Sequence, residues 1–254
     1  MISSPQQPKV TSIGENHSKF EILGCYPGYG ATLGNAIRRV LLSSLDGAAA
    51  QSVKIKGVSH EFSTIPGVME DVVQILLNLK QLRFRLHGDD VVKVTIKAKG
   101  EGEVTAADIK APSSVEIVNL DHKIATLTDK KAEFELELEI GKGIGYVPIE
   151  ARDGEEREIG MIALDSIYTP IRRVNYEVEN MRVGKRTDYD RVSIEVITDG
   201  SITPEVAFAK SIDILVSQFS SLRMENLPSE EEEAGAEAPK KAAKKSSKKA
   251  AKEE

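Results

Sequence analysis

Glu133-Phe134-Glu135-Leu136-Glu137-Leu138-Glu139-Ile140 alternates without exception between carboxylates and apolar side chains. A period of two residues puts Phe134, Leu136, Leu138 and Ile140 on one face of a strand and leaves the glutamates in water. Less strict alternation recurs at 19–26, 52–56, 91–97, 158–164, 173–178 and 191–198. Asp89-Asp90, Gly100-Glu101-Gly102 and Asp199-Gly200 read as the turns between such strands.

Three segments carry the helical period instead. In 32–45 the apolar positions are Leu33, Ala36, Ile37, Val40, Leu41 and Leu45, with Thr32 as cap and Asp46-Gly47 as stop. In 66–83, Pro66 suits a first helical position and Glu70 and Asp71 complement the dipole. Its stripe is Val68, Val72, Ile75, Leu76, Leu79 and Leu82. In 204–222, Thr203 caps, Pro204 opens, and Phe208, Ile212, Leu215, Val216, Phe219 and Leu222 form the stripe. Three helices are too few for regular β–α–β alternation, so the class is antiparallel α+β. No internal repeat is visible.

Two of these helices carry apolar residues off their main stripe. On a wheel at 100° per residue, Leu42 lies opposite Ile37 and Leu41, among Asn35, Arg38 and Arg39. A leucine bracketed by arginines fits a contact patch, and it equally fits a solitary surface leucine. Val73 and Leu77 lie off the second stripe, near Glu70 and Lys80, so that helix is either sandwiched in one core or offers a second side to a partner. The third stripe suits packing on a sheet or against a copy of itself.

The chain has 254 residues, with 34 Lys plus Arg against 40 Asp plus Glu, a formal charge of -6. Residues 228–254 hold seven Lys and seven Glu and lack aromatic and β-branched residues, so this tail reads as disordered. The remaining 27 positive and 33 negative residues make a mildly acidic body, which argues against a dedicated nucleic-acid-binding domain. A single cysteine, Cys25, excludes an internal disulfide and a multi-cysteine metal site. No apolar run approaches the roughly 18 residues of a membrane span, and the opening residues lack the pattern of a secretory signal. A cytoplasmic protein without membrane contact is expected.

Reactive constellations are missing as well. The stretch Gly24 through Gly34 opens a helix as phosphate loops do, but after Gly28 and Gly30 the third glycine comes one residue late. Gly141-Lys142-Gly143-Ile144-Gly145 runs into Tyr146-Val147-Pro148 rather than a helix. Asp188-Tyr189-Asp190 could hold a cation, but Arg186 and Arg191 flank it and favour ion pairs. His17, His60, His87 and His122 are scattered, and Cys25 reads as a buried, inert thiol. No catalytic residue, metal or cofactor is expected; the pattern is that of a scaffold.

The residues already quoted resemble those of one family. Thr32 through Leu45 (TLGNAIRRVLLSSL) is similar to the signature of the alpha subunits of bacterial DNA-directed RNA polymerase. His60-Glu61-Phe62-Ser63-Thr64-Ile65-Pro66-Gly67-Val68, Glu70-Asp71 with Leu76 through Lys80, Val104 through Ile109, Gly145 through Pro148 and Arg186-Thr187-Asp188 resemble further blocks, in order, from about residue 8 to 225. The resemblance implies a dimerisation subdomain of 1–46 plus 173–227, interrupted by a mostly-β insert of 47–172. It implies a homodimer on which the beta and beta-prime subunits assemble into the nucleotidyltransferase, with no chemistry in this chain. Dimer contacts fall on Leu33, Ile37, Val40, Leu41, Phe208, Ile212, Leu215 and Phe219. Large-subunit contacts fall on Arg38, Arg39, Leu42 and Lys80, and further on Leu164, Ile171, Arg182 and Arg186. The family's carboxy-terminal DNA-binding domain is expected to be missing. The Lys-rich stretch 240–252 offers at most weak phosphate contact, with a salt slope of up to about −6 if all seven lysines engaged duplex DNA. A solubilising tail is preferred. Two other readings are weaker: a free-standing dimer coating DNA through its tail, and a metal enzyme using Asp188 and Asp190.

Overall fold

The computed structural model describes residues 2–152, 158 and 160–223; the tail 228–254 lies outside them. The strands are β1 (Lys9–Gly14), β2 (His17–Cys25), β3 (Asp46–Ile55), β4 (Phe84–Leu86), β5 (Val92–Lys99), β6 (Gly102–Thr105), β7 (Ile109–Lys110), β8 (Val115–Ile117), β9 (Lys123–Leu127), β10 (Glu133–Ile144), β11 (Tyr146–Val147), β12 (Met161–Ala163), β13 (Ser166–Ile167), β14 (Ile171–Val183) and β15 (Arg186–Thr198). The helices are α1 (Tyr29–Ser43), α2 (Val72–Lys80) and α3 (Pro204–Ser221). All described strand pairs are antiparallel, and the fold is α+β.

The alternating segment is the centre of the larger sheet, ordered β7-β5-β10-β3-β4-β8 with β12 also on β3. Leu136, Leu138 and Ile140 pair with Ile55, Val53 and Ala50 on one side and with Ile96, Val94 and Val92 on the other. Their glutamates meet lysines on the wet face: Lys93 lies 3.1 Å from Glu137 and 3.2 Å from Glu139, and Lys99 lies 2.7 Å from Glu133. These exposed pairs hold the Glu133 carboxyl below its ordinary range, chiefly through Lys99, and each is worth little in stability. The glycine-rich 141–144 simply continues β10.

Two hydrophobic cores result. One is built between the larger sheet and α2, from residues such as Val53, Ile75, Leu79, Phe84, Phe134 and Leu164. The other lies against the sheet β1-β2-β15-β14 and gathers Phe20, Cys25, Ile37, Leu41, Ile171, Val192 and Phe208. Residues 1–215 form one compact unit; a second begins at Val216, in the last turns of α3.

The helices depart from their expected bounds for local reasons. α1 starts at Tyr29, ahead of Thr32, after Gly28 takes a left-handed φ of 84° that favours glycine. Asp46-Gly47 does not stop it; Ser44 caps the end, with its N–H on the Val40 carbonyl, and Asp46 opens β3. α2 is much shorter than 66–83. Its approach is drawn onto β9: the Met69 N–H donates to the Thr126 carbonyl at 2.9 Å, and Glu70 accepts from the Thr126 N–H at 2.6 Å. Glu70 is thus a tie to a strand rather than a dipole charge, and Asp71 is the cap, accepting from the Gln74 N–H at 2.7 Å.

Candidate functional site

The start of α1 shows what became of the glycine loop and the acidic motif. The N–H groups of Gly28 and Gly30 both donate to Asp190 Oδ2 at 2.9 Å. A buried carboxylate therefore fills the place a phosphate would take at this helix end. Burial, and after it the Asp190 charge, pushes the Cys25 thiol up, which makes it a poor nucleophile. Asp188 is held in a fork by Arg186, at 3.0 and 2.6 Å, and its carboxyl is lowered mainly by that contact. The Arg186 guanidinium lies 5.3 Å from the Tyr189 ring centre and 5.9 Å from that of Tyr26. Among the described residues no three His, Cys, Asp or Glu side chains gather as a metal site.

α1 has two unlike sides. Ile37 and Leu41 are buried in the chain's own core, with Leu33 packed partly against it. Arg39 is exposed, Leu42 is 37% exposed, and Arg38 is half-buried with its Nη2 donating to Asn35 Oδ1 at 2.9 Å. Leu42 is thus outside the core, as the wheel requires. Val40 is half-buried.

The second surface is on the other core. Leu77 is 51% exposed on α2 and stands with Val73 and Lys80 along a groove of about 440 Å³ that Ile149 and Met161 also line. Phe62 is 81% exposed at its rim, and Met69 is also exposed. In the sequence Phe62 stands out only as part of the 60–68 block of the family resemblance. Lys80 is already engaged: its ammonium lies 2.7 Å from Asp165 Oδ2. That hydrogen bond holds the Asp165 carboxyl low, against some burial and with help from the Ile149 N–H.

Other expected contact residues fall in different places. Leu164, in the loop after β12, and Ile171, at the start of β14, are buried, one in each core, and Leu164 also lines the α2 groove. Arg182 is exposed near the β14–β15 turn, with its Nε donating to the Gly184 carbonyl at 2.9 Å, and Arg186 is on the same hairpin. On α3, Phe208 is buried and stacked on Phe20 at 4.3 Å; Ile212 and Leu215 are only partly covered. Phe219 is 66% exposed and is not a core residue. An apolar groove of about 560 Å³ runs along Val10, Phe20, Leu33, Ile37, Phe208 and Ile212.

Residues 53–169, the region around the larger sheet, match the family described as the RNA polymerase Rpb3/RpoA insert domain. The chain is 51% identical over 214 residues to the DNA-directed RNA polymerase subunit alpha of Alkaliphilus oremlandii, covering 83% of this chain and 67% of the relative. It is 48% identical over 216 residues to that of Carboxydothermus hydrogenoformans, covering 84% and 69%, and 47% identical over 225 residues to that of a Roseiflexus species, covering 89% and 69%. The chain belongs to the DNA-directed RNA polymerase alpha subunit family. Among the described residues no helix is long and apolar enough to cross a membrane.

Proposed function

We propose that this chain is the non-catalytic assembly platform of its polymerase: a homodimer that captures the beta and beta-prime subunits and leaves the nucleotidyl transfer to them. The observation that carries the reading is the division of α1, with Ile37 and Leu41 turned inward and Arg39 and Leu42 turned out. Arginine is enriched where protein surfaces meet, and the exposed leucine beside it adds apolar area to bury. The α2 groove, with Leu77, Phe62 and Lys80, extends the docking surface for beta, and Arg182 and Arg186 add a contact on the β14–β15 hairpin. The second copy covers the apolar groove beside α3, using the partly covered Leu33, Val40, Ile212 and Leu215; the exposed Phe219 is a separate dimer contact. Residues 1–46 with 173–227 serve as the dimerisation subdomain and 47–172 as its insert, a division supported by the two separate cores. The protein works in the cytoplasm.

The test is Arg39→Ala. Truncating an interface arginine costs about 2 kcal/mol or more of binding, so capture of beta at limiting subunit concentration falls at least about 30-fold, while the dimer persists in sedimentation. Normal assembly by this variant overturns the docking assignment.

A further inference from the structure

The two proposed docking surfaces stand on different cores: Arg39 and Leu42 on α1, Leu77 and Lys80 on α2. A single large partner can grip both only if the cores keep a fixed angle. Among the described residues the two apolar clusters share no member, and several of the contacts across the seam are polar.

One group of those contacts leaves from the segment that follows α2. Arg83 is anchored within its own core: its N–H donates to Asn119 Oδ1 at 2.8 Å, and its carbonyl accepts from the Val118 N–H at 2.9 Å. Its Nη1 donates back to the carbonyls of Lys80 and Leu82 at 3.2 and 3.3 Å, against the end of α2. From this post the guanidinium reaches Asp199, with Nε 3.3 Å from Oδ2, and the carboxylate side chain is only 6% exposed. Burial pulls the Arg83 guanidinium down from its ordinary value, and the Asp199 charge opposes this. Two residues on, Arg85 donates to the carbonyls of Ser201 and Gly200 at 2.9 and 3.3 Å.

The receiving turn is equally well built. Asp199 Oδ1 accepts from the N–H and the hydroxyl of Ser201 at 2.9 and 2.6 Å. Gly200 has φ +94°, and a Cβ there would lie 3.0 Å from the Val118 side chain of the other core. Only glycine meets both conditions. The turn leads within a few residues into Thr203, whose hydroxyl accepts from the Val206 N–H at 3.4 Å at the start of α3.

We propose that Arg83 and Arg85, gripping the 199–201 turn, are the joint that sets the angle between the two cores and so holds the α1 and α2 docking surfaces in register for one large partner. Arg83 and Asp199 are positioning residues; neither touches the partner. The inference rests on the docking reading above.

Spin labels at Lys110→Cys and Glu177→Cys, both exposed and one on each core, report the angle in the full chain, and the buried native Cys25 stays unlabelled. Asp199→Asn keeps an acceptor for Ser201 but removes the charge, and Arg83→Met removes the other side. Each broadens the label-to-label distance distribution, and the double variant broadens it no further, because one link is lost in each case. The dimer stays intact, and capture of the large subunits weakens by at least about fivefold, the lower end of couplings between separate sites. Arg85→Lys guards against misfolding of the buried variants: it retains the charge, loses the fork, and broadens the distribution less. An unchanged width in all three single variants overturns the joint. Broadening with unaltered capture, in a series where Arg39→Ala does weaken capture, overturns its positioning role. If Arg39→Ala has no effect either, it is the docking reading that fails.

Discussion

Asp190→Ala removes the one carboxylate that closes the N-terminus of α1. The N–H of Gly30 is buried and that of Gly28 partly so, and both donate to the same Oδ2 at 2.9 Å. Hydrogen bonds to a charged acceptor are worth about 1.5–3 kcal/mol each, and a buried donor left unpaired costs a similar amount. Losing the helix-terminus charge adds about 0.5–1 kcal/mol, while relief of burying a carboxylate returns part of the total. The net expectation is a loss of about 3 kcal/mol, or about 6–12 °C in melting temperature for a chain of this size. Asp190→Asn keeps an acceptor oxygen and loses only the charge, so it costs about 1 kcal/mol. Urea unfolding followed by circular dichroism measures both. A loss below about 1 kcal/mol for the alanine variant, or equal losses for the two, refutes the view that this carboxylate is the cap of α1.

Three further outcomes are expected. Because Lys80 holds Asp165 below the ordinary carboxylate range, the stability of that pair is fully present above the unfolded-state value and is lost as pH falls through the lowered folded value; carboxyl-carbon NMR should show Asp165 titrating low, and Lys80→Met should move it back up. Phe208→Glu places a charge against Phe20 in the core and costs about 4 kcal/mol in urea unfolding, whereas Phe219→Glu leaves the near-ultraviolet dichroism intact and shifts sedimentation toward monomer; unfolding by the second variant contradicts its exposure. Deleting 228–254 leaves affinity for duplex DNA at low salt unchanged, and a loss carrying a salt slope near −6 would instead establish phosphate contact by the Lys-rich stretch.

The positions and types of the main elements were legible because their periods are strong. Glu133 to Ile140 can be nothing but a half-buried strand, and Leu33 to Leu41 nothing but one helical face. The boundaries of α2 were not legible, because Glu70 and Asp71 look like dipole charges until Thr126, distant in sequence, is seen to claim Glu70. The wheel placed Leu42, Arg39 and Leu77 off the buried stripes, and all three are exposed, since displacement from a stripe is local information. Leu164 and Ile171 came from the family resemblance alone, and their burial depends on what packs over them, which local spacing does not record.

The chain alone therefore determined the class, the helical faces and the family signature, each written in spacing along the backbone. Tertiary structure alone decided how many cores form, that Asp190 occupies the helix end a phosphate loop would use, and that Arg83 reaches Asp199. These are pairings between residues far apart in the chain, and a one-dimensional period holds no record of which distant charge or N–H will be brought into contact.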